Sequence, residues 1–413
     1  METARRLFGD NSQLHVLVVL LAGLLLAFQV ATGGRMVTTS NAQNLVTGNV
    51  YVLILAVGMV LVIVIGEIDL SVGSVAAFVS MTVALAMYNL GLPWWVGLLL
   101  GLVLGGLIGA WQGFWLAEIG IPGFITTLAG MMIFRGALLW ESRALSVPVP
   151  EEFRFMGAGY LPEWGPAWTH LNNSTLFLGL LVAGYLSVSE VRRYRRRIDR
   201  QHSEPEPWIP AVRIVLIVVV TGALVWLFGT GNPGTSFPVS GVILLALVLL
   251  YHVVSQRTAF GRHVYAVGGN PRAAALSGVD IHRVQFAVMV NMGVLAALAG
   301  MVFAGRSTAA GPQDGTLWEL DAIAAVFIGG AAVGGGMGTI YGAIMGGLVM
   351  AVLNNGLMLL GVGSDRAQMI KGLVLLVAVS FDLYSRRKGR PSLTGRMLSG
   401  LGQNRASSPT HAD

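Results

Sequence analysis

The stretch Asn49-Val-Tyr-Val-Leu-Ile-Leu-Ala-Val-Gly-Met-Val-Leu-Val-Ile-Val-Ile-Gly66 contains no charged residue over 18 positions. A helix of about 20 apolar residues crosses the hydrocarbon core of a bilayer, and tilt adjusts the exact length. This stretch therefore predicts a transmembrane helix. Because comparable runs recur along the whole chain, the predicted fold class is all-α, a polytopic bundle of transmembrane helices.

Twelve such runs can be distinguished, and the pattern allows ten to twelve spans. For the first run a signal peptide is the alternative, but its apolar stretch is longer than a usual signal core and many spans follow, which favours an uncleaved helix. The tenth run gives the weakest signal. The predicted spans are 14–32, 49–66, 70–90, 94–117, 122–140, 174–189, 211–229, 238–255, 284–305, 320–335, 338–360 and 369–384.

The composition agrees with a membrane protein. Hydrophobic residues make up 54% of the 413 residues and charged residues 11%, whereas soluble domains carry about 25% charge. The net charge of +6 comes from arginines in loops beside apolar runs, which membrane topology explains better than a nucleic-acid partner. Cysteine is absent, which excludes disulfides, thiolate metal sites and cysteine nucleophiles.

Positive charge in short loops marks the cytoplasmic side of a membrane protein. Arginine clusters follow the sixth, eighth and twelfth runs, whereas the loop 141–173 holds four glutamates and two arginines. This predicts twelve spans with both termini in the cytoplasm. The predicted segments are a cytoplasmic N-terminus 1–13, a transmembrane domain 14–390 with an arginine-rich loop and linker 191–210 and a cytoplasmic loop 256–283, and a disordered tail 391–413.

The polar stretch Gly261–Ile281 lies between two apolar runs. Asn270-Pro271 is typical of a helix start, Arg272–Leu276 continues the helix, and Gly278 is expected to end it. A short helix with small residues, held between two spans, suits docking of a soluble partner. An ordinary solvated loop with one helical turn is the alternative.

A weak internal repeat relates Glu67-Ile-Asp-Leu70 to Glu319-Leu-Asp-Ala322, each followed by an apolar span and then a glycine-rich one. In the predicted topology the two tetrapeptides lie on opposite sides of the membrane, as inverted repeats require. Only two of the four residues match, so chance recurrence is the alternative.

The 55 glycines are expected mainly to form packing seams, since small residues let transmembrane helices approach closely. Seams are expected around Gly101–Gly109 and Gly342–Gly347. The run Gly334–Gly338 is expected to break a helix near the membrane midplane. Arg135 is expected to extend its charge towards the membrane surface.

Six polar residues lie within or beside apolar spans and should face the bundle interior, where they either line a solute route or cap and join helices. For the two aspartates helix capping is the favoured role. The six are Asp69, Ser71, Gln112, Asp321, Asn354 and Asn355.

Catalytic patterns are missing from the sequence. The seven histidines show no metal-ligand spacing, and neither a G-x-S-x-G elbow nor a G-x-x-x-x-G-K-[ST] phosphate loop occurs. The chain is therefore not expected to be an enzyme or to hydrolyse ATP by itself.

Several motifs resemble the permease subunits of bacterial carbohydrate-importing ABC transporters, in the ribose and xylose branch. The length, the arginine-rich central segment and Asn354-Asn355-Gly356 are most similar to the xylose and multiple-monosaccharide permeases. The long loop 141–173 and the spans flanking Arg192–Arg200 depart from simpler relatives. The matching strings are Gly66–Ser74, Ile121–Gly130, Gly261–Asn270, Ala274–Gly278 and Glu319–Ala325.

The resemblance implies a homodimer in the bacterial inner membrane, a separate ABC ATPase subunit that carries ATP and Mg, and a periplasmic sugar-binding protein. The chain itself would bind no cofactor. It would move a monosaccharide, xylose or a related aldose, by alternating access. The residues implied to form the ATPase-coupling loop are Gly261, Arg262, Gly269, Asn270, Ala273, Ala274, Ser277, Gly278 and Asp280.

An ion-coupled secondary sugar transporter of inverted-repeat design is the alternative function. It would be driven by protons or sodium through Asp69 and Asp321, and would need no ATPase.

Overall fold

The computed structural model describes residues 12–166, 169–200, 208–230 and 234–388. Most of the predicted N-terminal segment 1–13, part of the predicted linker 191–210, and the predicted tail 391–413 lie outside these residues. The chain divides at Gly363 into two compact units. The second unit contributes one described helix, Ser364–Lys388.

The first unit is almost entirely helical, and its only named strands form one two-residue pair within the described residues. The strands are β1 (Val147–Pro148) and β2 (Ala309–Ala310), which pair antiparallel. The helices are α1 (Ser12–Ala31), α2 (Thr39–Val64), α3 (Val72–Leu90), α4 (Trp94–Ala117), α5 (Gly123–Ser142), α6 (Glu151–Ala158), α7 (Asn173–Arg200), α8 (Trp208–Gly229), α9 (Val239–Arg257), α10 (Ala259–Gly269), α11 (Pro271–Leu276), α12 (Ile281–Ser307), α13 (Trp318–Ile328) and α14 (Ile340–Leu359); the second unit holds α15 (Ser364–Lys388).

The predicted all-α polytopic bundle is confirmed. Among the described residues, nine helices are long and apolar enough to cross a membrane, namely α2, α3, α4, α5, α7, α8, α9, α12 and α14. Helix α1 adds a shorter apolar stretch, Val16–Ala31. Its Phe28 ring contacts Gly356 of α14.

Glycine seams join the central helices, as predicted. In α4, a Cβ built at Gly105 or Gly109 would overlap backbone carbonyl oxygens of α12, those of Gly293 and Met289. Likewise Gly346 of α14 lies directly against the backbone of α13 at Ala325, and Gly342 lies against the backbone of Gly329, which caps α13. Because these glycines recur every four residues, they lie on one helix face and let the backbones touch.

The tenth predicted span, 320–335, is not one continuous helix. Helix α13 has 11 residues, which corresponds to about 16 Å, or about half the thickness of a hydrocarbon core. Its Trp318 ring packs on Tyr51, halfway along α2, with ring centroids 4.2 Å apart. Helix α13 therefore begins near mid-depth, and the segment before it re-enters the bundle.

The glycine break is present, but the predicted midplane location is wrong. After Ile328 the chain turns, and Gly330, Gly335 and Gly336 all have positive φ. The Gly336 N–H donates to the carbonyl of Val64, the last residue of α2, at 2.8 Å. The break therefore lies level with the end of α2 and not at the midplane. Helix α13 explains this, because a half-length helix that starts at mid-depth reaches that level before the glycines begin.

Two further segments are more ordered than the sequence predicted. Residues 191–200, predicted as a loop, continue α7 as helix, since arginine is a good helix former and each added residue gains a backbone hydrogen bond. The loop 141–173 contains β1 and α6. Gly157 of α6 lies against the backbone of α12 at Val302 and Arg306.

Candidate functional site

The predicted docking stretch forms two capped helices, α10 and α11, followed directly by α12. The Thr258 hydroxyl accepts from the Gly261 N–H, the Asn270 side chain accepts from the Ala273 N–H, and Asp280 accepts from the Arg283 N–H, each at 3.1 Å. Gly278 ends α11 with φ +84°. The helix predicted between Asn270 and Gly278 is confirmed, whereas α10 was not predicted.

The exposed side of this stretch is a continuous surface, here called the docking surface, formed by the exposed residues of 262–280. Gly261 and Ala274 are buried, so they anchor the stretch and are not contact residues. Leu276 is 91% exposed; the sequence reasoning missed it as a candidate. The predicted residues that do lie on this surface are Arg262, Gly269, Asn270, Ala273, Ser277, Gly278 and Asp280.

The opposite side of α10 contacts two elements of the bundle. A Cβ built at Gly268 would overlap the carbonyl group of Val64 and would lie 2.8 Å from the Gly336 nitrogen. The Tyr265 hydroxyl donates to the Gly338 carbonyl at 2.7 Å. The docking surface is thus connected through α10 both to the end of α2 and to the glycine break that precedes α14.

Three of the six predicted polar residues form one buried hydrogen-bond chain at the start of α3. Asp69 Oδ1 accepts from the Ser71 N–H at 2.8 Å and from the Ser71 hydroxyl at 2.7 Å. Gln112 Nε2 donates to the Ser71 hydroxyl oxygen at 2.7 Å. Since each residue has a local partner, this geometry joins α3 to α4 and orders the turn before α3. The capping role predicted for Asp69 is wrong, because the N-cap of α3 is Ser71, whose side chain makes no capping bond.

The start of α3 meets the start of α13. A Cβ built at Gly73 would overlap the Gly315 carbonyl and lie 2.5 Å from Glu319 Oε2, and a Cβ at Gly315 would overlap the Gly73 carbonyl. These two glycines, in mutual backbone contact, are here called the glycine junction. The tetrapeptides of the predicted repeat lie beside it in different local structures, since 67–70 is non-helical and 319–322 is helical. The inverted repeat stays a prediction.

Arg135 does not extend towards the membrane surface as expected. Its Nη1 donates to the Asp314 carbonyl at 2.7 Å, in the re-entrant segment before α13. Asp314 Oδ2 in turn accepts from the Gly311 N–H at 2.7 Å. These bonds satisfy backbone groups of the re-entrant segment, as non-helical backbone inside a membrane bundle requires.

The other three predicted polar residues lie elsewhere. Asp321 is half-buried in the first turn of α13, and Asn354 is half-buried in α14. Asn355 forms a reciprocal amide pair with Asn41 of α2, with N–O distances of 2.9 and 3.1 Å. Asn41 Nδ2 also donates to the Met36 carbonyl at 2.8 Å. This pair joins the outer turns of α2 and α14, at the ends opposite the docking surface.

A double-mutant cycle can measure the amide pair. We expect Asn41→Ala and Asn355→Ala each to lower the free energy of unfolding by about 1–3 kcal/mol, because each leaves a buried amide unsatisfied. The double variant should lose at least about 0.5 kcal/mol less than the sum. Thermal unfolding in detergent gives the values, with half-buried Asn354→Ala as control. Strictly additive losses would show that the pair is not coupled.

Among the residues that the structure describes, no group of three or more His, Asp or Glu is placed to hold a metal ion. The arrangement instead offers an exposed surface, buried helix joints and backbone contacts. These features place an exposed surface in backbone contact with the membrane-spanning helices.

Comparison with known proteins finds permeases that are similar over most of the chain. The chain is 35% identical to the xylose transport system permease protein XylH of Escherichia coli (strain K12) over 380 residues, covering 92% of this chain and 93% of that protein. It is 34% identical to XylH of Haemophilus influenzae, covering 93% and 99%. It is 32% identical to the ribose import permease protein RbsC of Escherichia coli (strain K12), covering 84% and 86%.

No solved structure matches the chain. The family model described as "Branched-chain amino acid transport system / permease component" matches residues 41–379. This range nearly coincides with the part that carries the resemblance seen in the motifs. The chain is a multi-pass membrane protein and belongs to this permease family.

Proposed function

We propose that this chain is the transmembrane permease subunit of an ATP-driven importer that moves a monosaccharide, xylose or a related aldose, across the inner membrane by alternating access. The similarity to xylose and ribose permeases supports the substrate class. The proposed partners are an ABC ATPase subunit, a periplasmic sugar-binding protein and a second copy of this chain. ATP and Mg belong to the ATPase, and both termini lie in the cytoplasm.

The single observation that carries the proposal is the two-sided contact of α10 and α11. Their exposed side offers small residues and one exposed leucine, while the inner side of α10 lies against Val64 and the glycine break. A single exposed leucine does not by itself mark a contact. What supports a docking role here is its position on a short capped helix that is held between two apolar spans. A displacement of this surface would therefore be transmitted through backbone contacts to α2 and to the glycine break before α14.

The docking contact is tested by Leu276→Asp. Leu276 is 91% exposed, so the substitution removes no internal packing, but it places a charge where an apolar contact is proposed. We expect the variant to fold normally and to lose co-purification with the cognate ATPase. Leu145→Asp is the matched control. Leu145 is 67% exposed and lies in the loop that follows the C-terminal end of α5, away from the docking surface. Normal ATPase binding by Leu276→Asp would contradict the docking role.

Reconstitution in liposomes separates the two proposed energy sources. An ATP-driven importer requires the ATPase and the sugar-binding protein for uptake, whereas an ion-coupled transporter works alone with a proton or sodium gradient. We expect no ion-driven uptake by this chain alone. Asp69, which the ion-coupled mechanism would use, already accepts two hydrogen bonds from Ser71.

A further inference from the structure

The arginine end of α7 is a feature that the permease function does not use. Helix α7 has 28 residues, which corresponds to a length of about 42 Å. A bilayer including its headgroup layers is about 40–45 Å thick. When the apolar part of α7 spans the hydrocarbon core, its last turns therefore lie within a headgroup layer.

Residues 191–200 have an amphipathic arrangement. At about 100° per residue, five arginine positions fall within a sector of about 140°, while Val191, Tyr194 and Ile198 share the opposite side. Val191 is 36% and Ile198 41% exposed. A helix with a basic side and an apolar side is typical of contact with a membrane surface. The five arginine positions are 192, 193, 196, 197 and 200.

Charge in this segment is strongly unbalanced. Residues 190–200 hold six arginines and two acidic residues, Glu190 and Asp199, an excess of four positive charges (6 − 2). Glu190 already pairs with Arg213 of α8 at 2.6 Å and lies 3.5 Å from Arg193. Arg192 and Arg195 are exposed. Their positive charge is thus directed to the surroundings of the protein.

Helix α7 is a candidate membrane span with only 11% of its apolar window buried, so lipid is the expected neighbour of its exposed side. Its span packs on α8 through Gly179 and Val225, while Leu180 and Tyr185 are 64% and 61% exposed. We propose that residues 191–200 bind anionic phospholipid headgroups, with the arginines contacting phosphates and the apolar side lying towards the acyl chains. The occupant is a lipid headgroup because the segment lies beside the bilayer and directly continues a lipid-facing helix.

The test measures binding of fluorescent phosphatidylglycerol to the full purified chain in detergent micelles, by energy transfer from tryptophan. The variant combines Arg192→Gln, Arg196→Gln and Arg197→Gln, three of the five positions on the basic side, since glutamine keeps the helix propensity. We expect its affinity for phosphatidylglycerol to fall on the order of a hundredfold. Binding of phosphatidylcholine should not change, and high salt should weaken phosphatidylglycerol binding to the unaltered chain.

The matched control removes the same charge from another cluster, by Arg386→Gln, Arg387→Gln and Lys388→Gln, and should leave phosphatidylglycerol binding within a few-fold. Unchanged binding in the α7 variant, or an equal loss in the control, overturns the proposal. So does an α7 variant that keeps its lipid affinity but loses the ATPase, since the segment is then a protein contact. If the triple variant does not fold, Arg192→Gln and Arg196→Gln are measured singly, each with an expected loss of about fivefold; no loss in either overturns the proposal.

Discussion

Alanine at position 268 is expected to abolish ATP-driven sugar uptake while the protein remains in the membrane. A Cβ at this position would overlap the Val64 carbonyl and approach the Gly336 nitrogen to 2.8 Å. Both neighbours are backbone, so no side chain can turn away, and α10 must move off the end of α2. Overpacking of this kind costs about 1–3 kcal/mol. Sugar uptake and stimulated ATP hydrolysis in proteoliposomes, measured with the complete transporter, show the effect.

A glycine outside the docking surface provides the control for this substitution. A Cβ built at Gly222, in helix α8, meets no atom within 4 Å, and its φ is not positive. Gly222→Ala should therefore leave uptake close to that of the unaltered chain. Equal uptake by Gly268→Ala and Gly222→Ala would show that the contact of α10 with Val64 does not transmit the motion.

Alanine at Gly73 is expected to have the largest effect on stability. Its Cβ would overlap the Gly315 carbonyl and approach Glu319 Oε2 to 2.5 Å. Gly315 has φ +74°, so it cannot shift freely into another conformation without moving the re-entrant segment. We expect the free energy of unfolding to fall by about 3 kcal/mol or more, at the upper end for overpacked sites. Thermal unfolding of the purified chain measures this loss.

Gly136→Ala is the control for the glycine junction. Gly136 lies in helix α5, and a Cβ built there meets no atom within 4 Å. Alanine at this position should be neutral or stabilising by up to about 1 kcal/mol, because it lowers the backbone entropy of the unfolded chain. If Gly73→Ala were as stable as Gly136→Ala, Gly73 and Gly315 would not be in backbone contact.

Local patterns predicted the features that depend on nearby residues. The start and end of α11 follow from Asn270-Pro271 and Gly278, whose effects act within one turn. The α4 seam follows from glycines at helical spacing. In the same way, the apolar runs predicted the spans, because their length compared with a bilayer decides the fold class.

Long-range contacts could not be predicted in this way. A half-length helix such as α13 has the same apolar composition as a full span, so only its contact with Tyr51 reveals its depth. The need for glycine at position 268 comes from its contact with the Val64 carbonyl, and Val64 is distant in sequence. Arg135 donates to a carbonyl in the segment that re-enters the bundle. The exposure of Leu276 depends on how α11 packs.

The most direct test of the central claim, that an ATPase acts on the bundle through the docking surface, uses the absence of cysteine from this chain. A Leu276→Cys variant then carries a single thiol on that surface, and a membrane-impermeant maleimide reports which side it faces. We predict labelling only from the cytoplasmic side, in inverted vesicles, and protection when the cognate ATPase is bound. Labelling from the periplasmic side of intact spheroplasts, or labelling that the ATPase leaves unchanged, would contradict the account.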